Sequence, residues 1–419
     1  MPLDGGLFIP NDFEDMRRWI LYTNSSTSFE SIAGALTSAF LKDEFSPIIC
    51  ETIAVNAFKH FSPQIKKLDE RLYALELFHT PTGSHKDFGI SFLVNALETT
   101  LTLTGGEAIF LDASVGELGA SLSLMMRGKK RLKAVLLYPS RPNRKIRGIK
   151  ESDLIQNGGN IIPIEINGTE EDCHKIVRAF FLDRPFVKRN SITVANTANI
   201  GRLIPQSFFY PFAFSRLKED TRADIFYAMS PGNYSNVVAG LYSWKMSLPL
   251  SGFICPTTHE LKLDAAGKCV VMDGTIDFLS REKSDPASPS NLERLEEVFN
   301  VNSLMLKNFI FPSLVTTDDE KAACQELFSR FALLSDSATA KAYAAAKKRE
   351  EITADEDSSV VLVMRDHPAI SADYVFHTLG EKATLPPDVA KAFSSVDFFV
   401  PQCNSIEEVK KEMKKYGIE

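Results

Sequence analysis

Lys86 stands inside the stretch ELFHTPTGSHKDFG, Glu76 to Gly89, where a loop of Thr, Gly, Ser and His gives way to an apolar run at helical spacing. Most lysines at such a junction are solvated charges. The helix dipole nevertheless makes the first turn a slightly unfavourable place for a cation, so a chemical use is worth testing. Partial burial in a cleft disfavours the charged form, and a neutral lysine amine forms an imine with an aldehyde. A second feature is SPGNYSN, residues 230–236, in which Gly232 turns the chain between the strand pattern DIFYAM and the helical VVAGLYSWKM. A glycine turn feeding a helix offers free backbone amides that hold a phosphate without a basic side chain. A third loop, SVGELG, carries Gly116 and Gly119. It is not GxGxxG and lacks the acidic residue of a dinucleotide site, so alone it reads as a turn.

Together, a junction lysine, a neutral phosphate cradle and a further glycine loop suit a phosphorylated aldehyde held as a Schiff base. Pyridoxal phosphate is that kind of cofactor. Other residues carry weaker signals. His79, His85 and His367 could move protons, but histidines that only satisfy backbone groups are commoner. Ser230 in AMSPG follows a strand and precedes a helix, as a hydrolase nucleophile does. Pro231 then follows it, and proline has no N–H to donate to an oxyanion.

The elements that must position these residues alternate. LYALELF, AIFLDA, LKAVLLYP, NIIPIEI, SITVAN, DIFYAM and VVLVM read as strands, with helical segments such as KDFGISFLVNALETTL and ASLSLMMRG between them. That alternation predicts an α/β fold of parallel strands covered by helices on both faces, with ligand sites beyond the strands' carboxyl ends. The first 72 residues read as mostly helical: SFESIAGALTSAFL is capped by a leading Ser, and SPIICETIAVNAFKHF is opened by a proline. IGRLIPQSFFYPFAF reads as helical, its phenylalanines packing in a core or interface. Asp273 to Asn291 reads as a long surface loop, and SIEEVKKEMKKY closes the chain as an amphipathic helix.

A chain of 419 residues with 44% hydrophobic and 24% charged residues is an ordinary soluble protein, long enough for two lobes. Its net charge of −7 argues against non-specific nucleic-acid binding. No apolar run approaches the roughly 20 residues of a membrane span, and the N-terminus lacks the features of a signal peptide. Six scattered cysteines fit reduced thiols of a cytoplasmic protein, and neither CxxC nor HExxH marks a metal site.

ELFHTPTGSHKDFGISFLVNAL resembles the cofactor-lysine segment of the threonine synthases, ELFHGPTxxFKDFG. Further segments are similar to that family in the same order: DGGLFIP to DGGLFVP, LLYP…GGNIIPIEINGTEEDC to LYP…GGNI…V.I.G.FDDC, and NTANIGRLIPQSFFY to NSINISRLLAQ..YY. SPGNYSNVVAG resembles PSGNFGDLTAG, SDSATAKAYAA resembles DPHTAVGYAA, and DHPA resembles AHPAKF. The resemblance implies a fold-type II pyridoxal-phosphate enzyme of two α/β lobes. Its expected units are 1–72 (mostly helical), 73–390 (catalytic core) and 391–419 (a terminal strand and helix). It implies a carbon–oxygen lyase acting on a phosphate, which converts O-phosphohomoserine and water to threonine and phosphate in the last step of threonine biosynthesis. The partner implied is a small molecule, not nucleic acid or membrane, and the enzyme would be a cytoplasmic monomer or homodimer.

Carried over by position, Lys86 would bear the cofactor and move protons. Gly232, Asn233, Tyr234 and Asn236 would surround its phosphate, and Thr339 would hydrogen-bond its pyridine nitrogen. Ser114, Gly116, Glu117, Asn199 and Arg202 would face the substrate. The sequence departs from the family at several places. TSGDTG has become SVGELG, so that Val115 and Leu118 replace hydroxyl residues and Glu117 replaces Asp, while Pro231 and Ser235 alter the cradle. SNAMD is not recognisable in LSREKSD, and an upstream segment of many members is expected to be missing. Two other readings stand beside the synthase: a weakened relative that binds the cofactor for another amino acid or a binding role, and a hydrolase using Ser230.

Overall fold

The computed structural model describes residues 5–113, 117–141, 159–221, 224–257, 284–298, 308–392 and 401–419. Two sheets organise them. The larger contains β1 (Gln64–Lys67), β2 (Leu72–Glu76), β7 (Asp224–Ala228), β8 (Gly252–Thr257), β9 (Ile310–Leu314) and β10 (Ser358–Met364), in the order β1-β2-β10-β7-β8-β9. All its pairings are parallel except β1 with β2. The smaller contains β3 (Ala108–Ala113), β4 (Leu132–Pro139), β5 (Ile161–Ile166), β6 (Ile192–Thr193) and β11 (Gln402–Cys403), in the order β11-β5-β4-β3-β6, all parallel. Every residue of β3 and β10 is buried, as parallel strands covered on both faces should be.

Within the first 72 residues lie α1 (Arg17–Tyr22), α2 (Phe29–Leu41) and α3 (Pro47–Phe58), together with the edge strand β1. Ser28 caps α2 by accepting from the Ser31 amide, and Pro47 opens α3. α4 (Lys86–Thr104) runs between the lobes. One side places Phe88 and Phe92 in the cluster that holds Phe29, Phe58 and Phe208. The other places Ile90, Leu93 and Val94 against Phe110 and Leu136 of the smaller sheet. A helix apolar on opposite faces is buried on both, so its first residue, Lys86, is anchored by both lobes.

IGRLIPQSFFYPFAF is helical as expected, in three pieces: a helix at Ile200–Leu203, a 3-10 turn at Ile204–Phe208 and a second helix at Phe209–Leu217. Pro205 lacks the amide that an unbroken helix would need there. The phenylalanines do pack internally, Phe209 meeting Phe88 edge-to-face at 5.0 Å. At the other end of the chain, Val409 and Met413 of the helix Ile406–Lys414 pack into the core of the smaller sheet. Of the expected surface loop 273–291, residues 273–283 lie outside the described residues.

Candidate active site at the strand ends

The loop between β2 and α4 is tied down before it reaches Lys86. Thr80 Oγ1 donates to the Ser84 carbonyl at 3.0 Å and accepts from the Ser84 amide at 3.1 Å. Gly83 turns with φ +71°, and its carbonyl accepts from the His367 amide at 2.8 Å. Asp87, fully buried, accepts from the Thr82 amide at 2.7 Å and from Thr82 Oγ1 at 2.9 Å. Burial pushes the Asp87 carboxyl up, against the pull of these hydrogen bonds. The chain following β10 supplies the second wall. His85 donates its amide to the Arg365 carbonyl at 2.8 Å, and Ser84 Oγ donates to Asp366 Oδ1 at 2.5 Å.

Lys86 Nζ emerges from this frame and donates to Glu117 Oε2 at 2.8 Å. Glu117 opens α5 (Glu117–Met125), just beyond β3. Burial alone would raise its carboxyl, but the charge and hydrogen bond of Lys86 outweigh burial and hold it below its ordinary value. Glu117, Ser230, Pro231, Asp336 and Asp366 line one cleft of about 380 Å³, a size ordinary for a small-molecule site. It opens at the carboxyl ends of the strands, as expected of such sheets. Asp366 is held well below the usual carboxylate range: burial would raise it, but the His85 hydrogen bond and the charges of Lys86 and Arg365 prevail. Burial in turn pushes His85 down, favouring its neutral form.

Beyond β7 the chain takes two left-handed residues, Gly232 at φ +57° and Tyr234 at φ +62°, and enters the helix Ser235–Lys245. Asn233 Nδ2 donates to Thr197 Oγ1 at 2.9 Å, fixing the turn against the neighbouring loop. Asn236 is 2% exposed, and its Oδ1 has no hydrogen-bond partner. Ser230 Oγ donates to the Ala338 carbonyl at 2.7 Å, which joins this turn to the helix Ser337–Lys347. Thr339 is buried in the first turn of that helix, and its amide is capped by Asp336 Oδ1 at 2.8 Å. Beside the cleft lie an amine held by Glu117 of its wall, a helix N-terminus behind a glycine turn, and a buried polar atom, Asn236 Oδ1, without a hydrogen-bond partner. These features fit the aldehyde, phosphate and ring of pyridoxal phosphate.

Not every expected residue faces the cleft. Ser114 and Gly116 lie outside the described residues. Asn199 caps the helix Ile200–Leu203 by accepting from the Gly201 amide at 3.0 Å, and its Nδ2 donates to Thr193 Oγ1 at 3.1 Å. Arg202 is 4% exposed and lies beneath α4, where a Cβ on Gly89 would meet its Nη1 at 1.8 Å. Burial lowers it to about 10 against the pull of Asp87 and Asp112, and burial likewise pushes Asp112 up to about 7. Leu118, at a family hydroxyl position, packs on the core around Ile90 and Leu122. His79 pairs with Glu76 at 2.6 Å, and His367 Nδ1 accepts from the Ala369 amide. Ser230 engages a backbone carbonyl, an arrangement that gives a hydrolase no activated nucleophile.

Arg365 and Asp366 are the site residues that the sequence reading passed over. They follow VVLVM directly, so the rule that ligands bind beyond strand ends pointed to them as clearly as to the loops after β2, β3 and β7.

No protein-family model matches the chain. It is 29% identical over 390 residues to the threonine synthase of Buchnera aphidicola subsp. Schizaphis graminum, across 92% of this chain and 87% of that one. With the Escherichia coli K12 threonine synthase the identity is 27% over 398 residues, covering 92% and 88%. The crystal structure of threonine synthase from Escherichia coli superposes with a TM-score of 0.77 at 26% identity, covering 99% of this chain and 95% of that one. The pyridoxal-phosphate-bound threonine synthase from Brucella melitensis shares the fold with a TM-score of 0.80 at 22% identity, covering 99% and 94%. In sequence over nine-tenths of its length, and in fold over nearly all of it, the chain is similar to the threonine synthases.

Proposed function

We propose that the chain is a pyridoxal-phosphate-dependent lyase that converts O-phosphohomoserine and water to threonine and inorganic phosphate. The observation that carries this reading is Lys86 at the head of α4, its Nζ 2.8 Å from Glu117, which lines a cleft together with Ser230 and Pro231 of the turn that leads to Asn236. Lys86 would hold the cofactor's aldehyde carbon, the turn Gly232–Asn236 its phosphate, and Thr339 its ring nitrogen. When bound, the cofactor supplies an electron sink that stabilises negative charge on the amino-acid substrate. Phosphate leaves the γ-carbon and water adds at the β-carbon, so protons must move among the α, β and γ carbons. Lys86 Nζ would serve those transfers, and Glu117 Oε2, 2.8 Å away, would hold it in place.

The first turn of α5 would take the substrate carboxylate through backbone amides, since Leu118 brings no hydroxyl. Residues 73–390 would carry the catalysis, with 1–72 packed over them and 391–419 completing the smaller lobe. The net charge of −7 and, among the described residues, five buried free thiols support a cytoplasmic protein acting on a small molecule and not on nucleic acid, which would be a monomer or homodimer. Among the described residues no helix is long and apolar enough to cross a membrane.

The deciding experiment supplies pyridoxal phosphate and O-phosphohomoserine and follows threonine and phosphate. Borohydride treatment and peptide mass analysis should also place a pyridoxyl group on Lys86. Threonine should form slowly but measurably. A preparation that takes up the cofactor yet forms no threonine would defeat the synthase assignment.

A further inference from the structure

The sequence alone assigns phosphate recognition on the turn 230–236 to backbone amides. The structure adds a side chain. β10 and β7 are parallel neighbours with Leu362 opposite Ala228. Three residues beyond that pair lie Arg365 on one strand and Pro231 on the other, so the sheet delivers Arg365 to the lip of the turn. A Cβ built on Gly232 would lie 3.0 Å from Arg365 Nη1. The guanidinium therefore occupies the side of the turn that glycine leaves open.

Its backbone is fixed there by the 2.8 Å hydrogen bond from the His85 amide to the Arg365 carbonyl. The two carboxylates in its field have other partners. Asp366 is held by Ser84 and His85, and Asp336 accepts from the Thr339 amide. Where the similar family segment PSGNFGD carries a serine, this chain has Pro231, which brings neither a hydroxyl nor an N–H. Arg365 stands where the lost donors would be replaced.

We propose that Arg365 is a phosphate-binding residue of the cofactor site, its planar fork donating to the phosphate monoester seated on the turn 231–236. This rests on the reading of the cleft as a pyridoxal-phosphate site. The turn then works as a cationic cradle and not as a neutral one.

Pyridoxal and pyridoxal phosphate differ only in the phosphate, so comparing them isolates that contact. Both are titrated by absorbance into cofactor-free parent, Arg365→Gln and Arg365→Lys proteins. Arg365→Gln should bind pyridoxal phosphate roughly ten- to a hundredfold more weakly, the loss of a charge-assisted bond, with pyridoxal unchanged within about twofold. Arg365→Lys, which keeps the charge but not the fork, should fall between. Unchanged affinity for pyridoxal phosphate overturns the inference, including the case in which only the KM for O-phosphohomoserine rises because Arg365 reads the substrate's phosphate. An equal loss for both aldehydes overturns it too, by marking a structural role. A parent protein that takes up neither aldehyde refutes the proposed function instead.

Discussion

Replacing Lys86 with alanine in the cofactor-free protein should reverse the way Glu117 links stability to pH. The Glu117 side chain is 7% exposed and lies 2.8 Å from Lys86 Nζ. Its carboxyl is lowered from the ordinary 4.5 because the charge and hydrogen bond of Lys86 overcome burial. A lowered carboxyl contributes stability above its ordinary value and loses it as pH falls through the folded value. In Lys86→Ala, burial and the Asp366 charge are opposed only by a backbone hydrogen bond, the smallest of these influences, so the carboxyl should rise above 4.5. Its contribution then changes sign, and stability is lost as pH increases through the new value. Removing one partner of a fully buried pair costs about 3–5 kcal/mol. Lys86 is 32% exposed, and solvent screening brings the expected cost down to about 1–3 kcal/mol. Adding Glu117→Gln removes the stranded charge and should recover most of that loss. Urea unfolding of the parent, both single variants and the double variant at pH 5 and pH 8 closes the cycle. Lys86→Ala should lose more at pH 8 than at pH 5. An equal loss at both, with no recovery in the double variant, would refute the pairing.

Gly232→Val forces a β-branched residue into φ +57° and against Arg365 Nη1; absorbance titration should show pyridoxal phosphate binding at least about tenfold weaker. Binding as tight as the parent's would mean that the phosphate sits elsewhere. Asp112 is pushed up to about 7, so it opposes folding increasingly as pH rises from its unfolded value toward 7. Asp112→Asn should therefore gain roughly 2–3 kcal/mol relative to the parent between pH 5 and pH 8 in urea unfolding; parallel pH profiles would rule this out. Leu118→Thr, though it restores a family hydroxyl, takes apolar surface from the cluster around Ile90 and Leu122. It should lower stability by about 1–3 kcal/mol, and an unchanged melting temperature would show that the side chain faces only the cleft.

What could be read from the sequence was what lies close together along the chain. The Lys86 junction and the turn at Gly232 each occupy one strand end and one helix start, so their type and order sufficed. Arg365 and Asp366 come from a strand more than 120 residues after the Gly232 turn, and only the β2-β10-β7 order places them beside both loops. β8 and β9, each containing a proline, lacked the alternation or apolar run that would mark them. Asn199 and Arg202 show the converse. Their positions match a family segment, but helix capping and burial determine what their side chains do in this fold.

The segment KDFG shows how these levels meet. Lys86 is placed by the first turn of a helix that both lobes bury, which brings its amine to Glu117 at the cleft wall. Asp87 points back instead of forward, and its two hydrogen bonds to Thr82 fix the loop through which Lys86 is reached. Phe88 enters the aromatic cluster, with Phe61 and Phe209 each 5.0 Å from its ring. Gly89 has no side chain because Arg202 fills that space, its carbonyl 2.7 Å and its Nη1 1.8 Å from where a Cβ would lie. Even an alanine there would have to displace a buried arginine that interacts with Asp87 and Asp112. Only the lysine is proposed to do chemistry. The three residues after it are set by the loop before the helix, the core beneath it and the charge behind it, and together these hold Nζ within reach of Glu117.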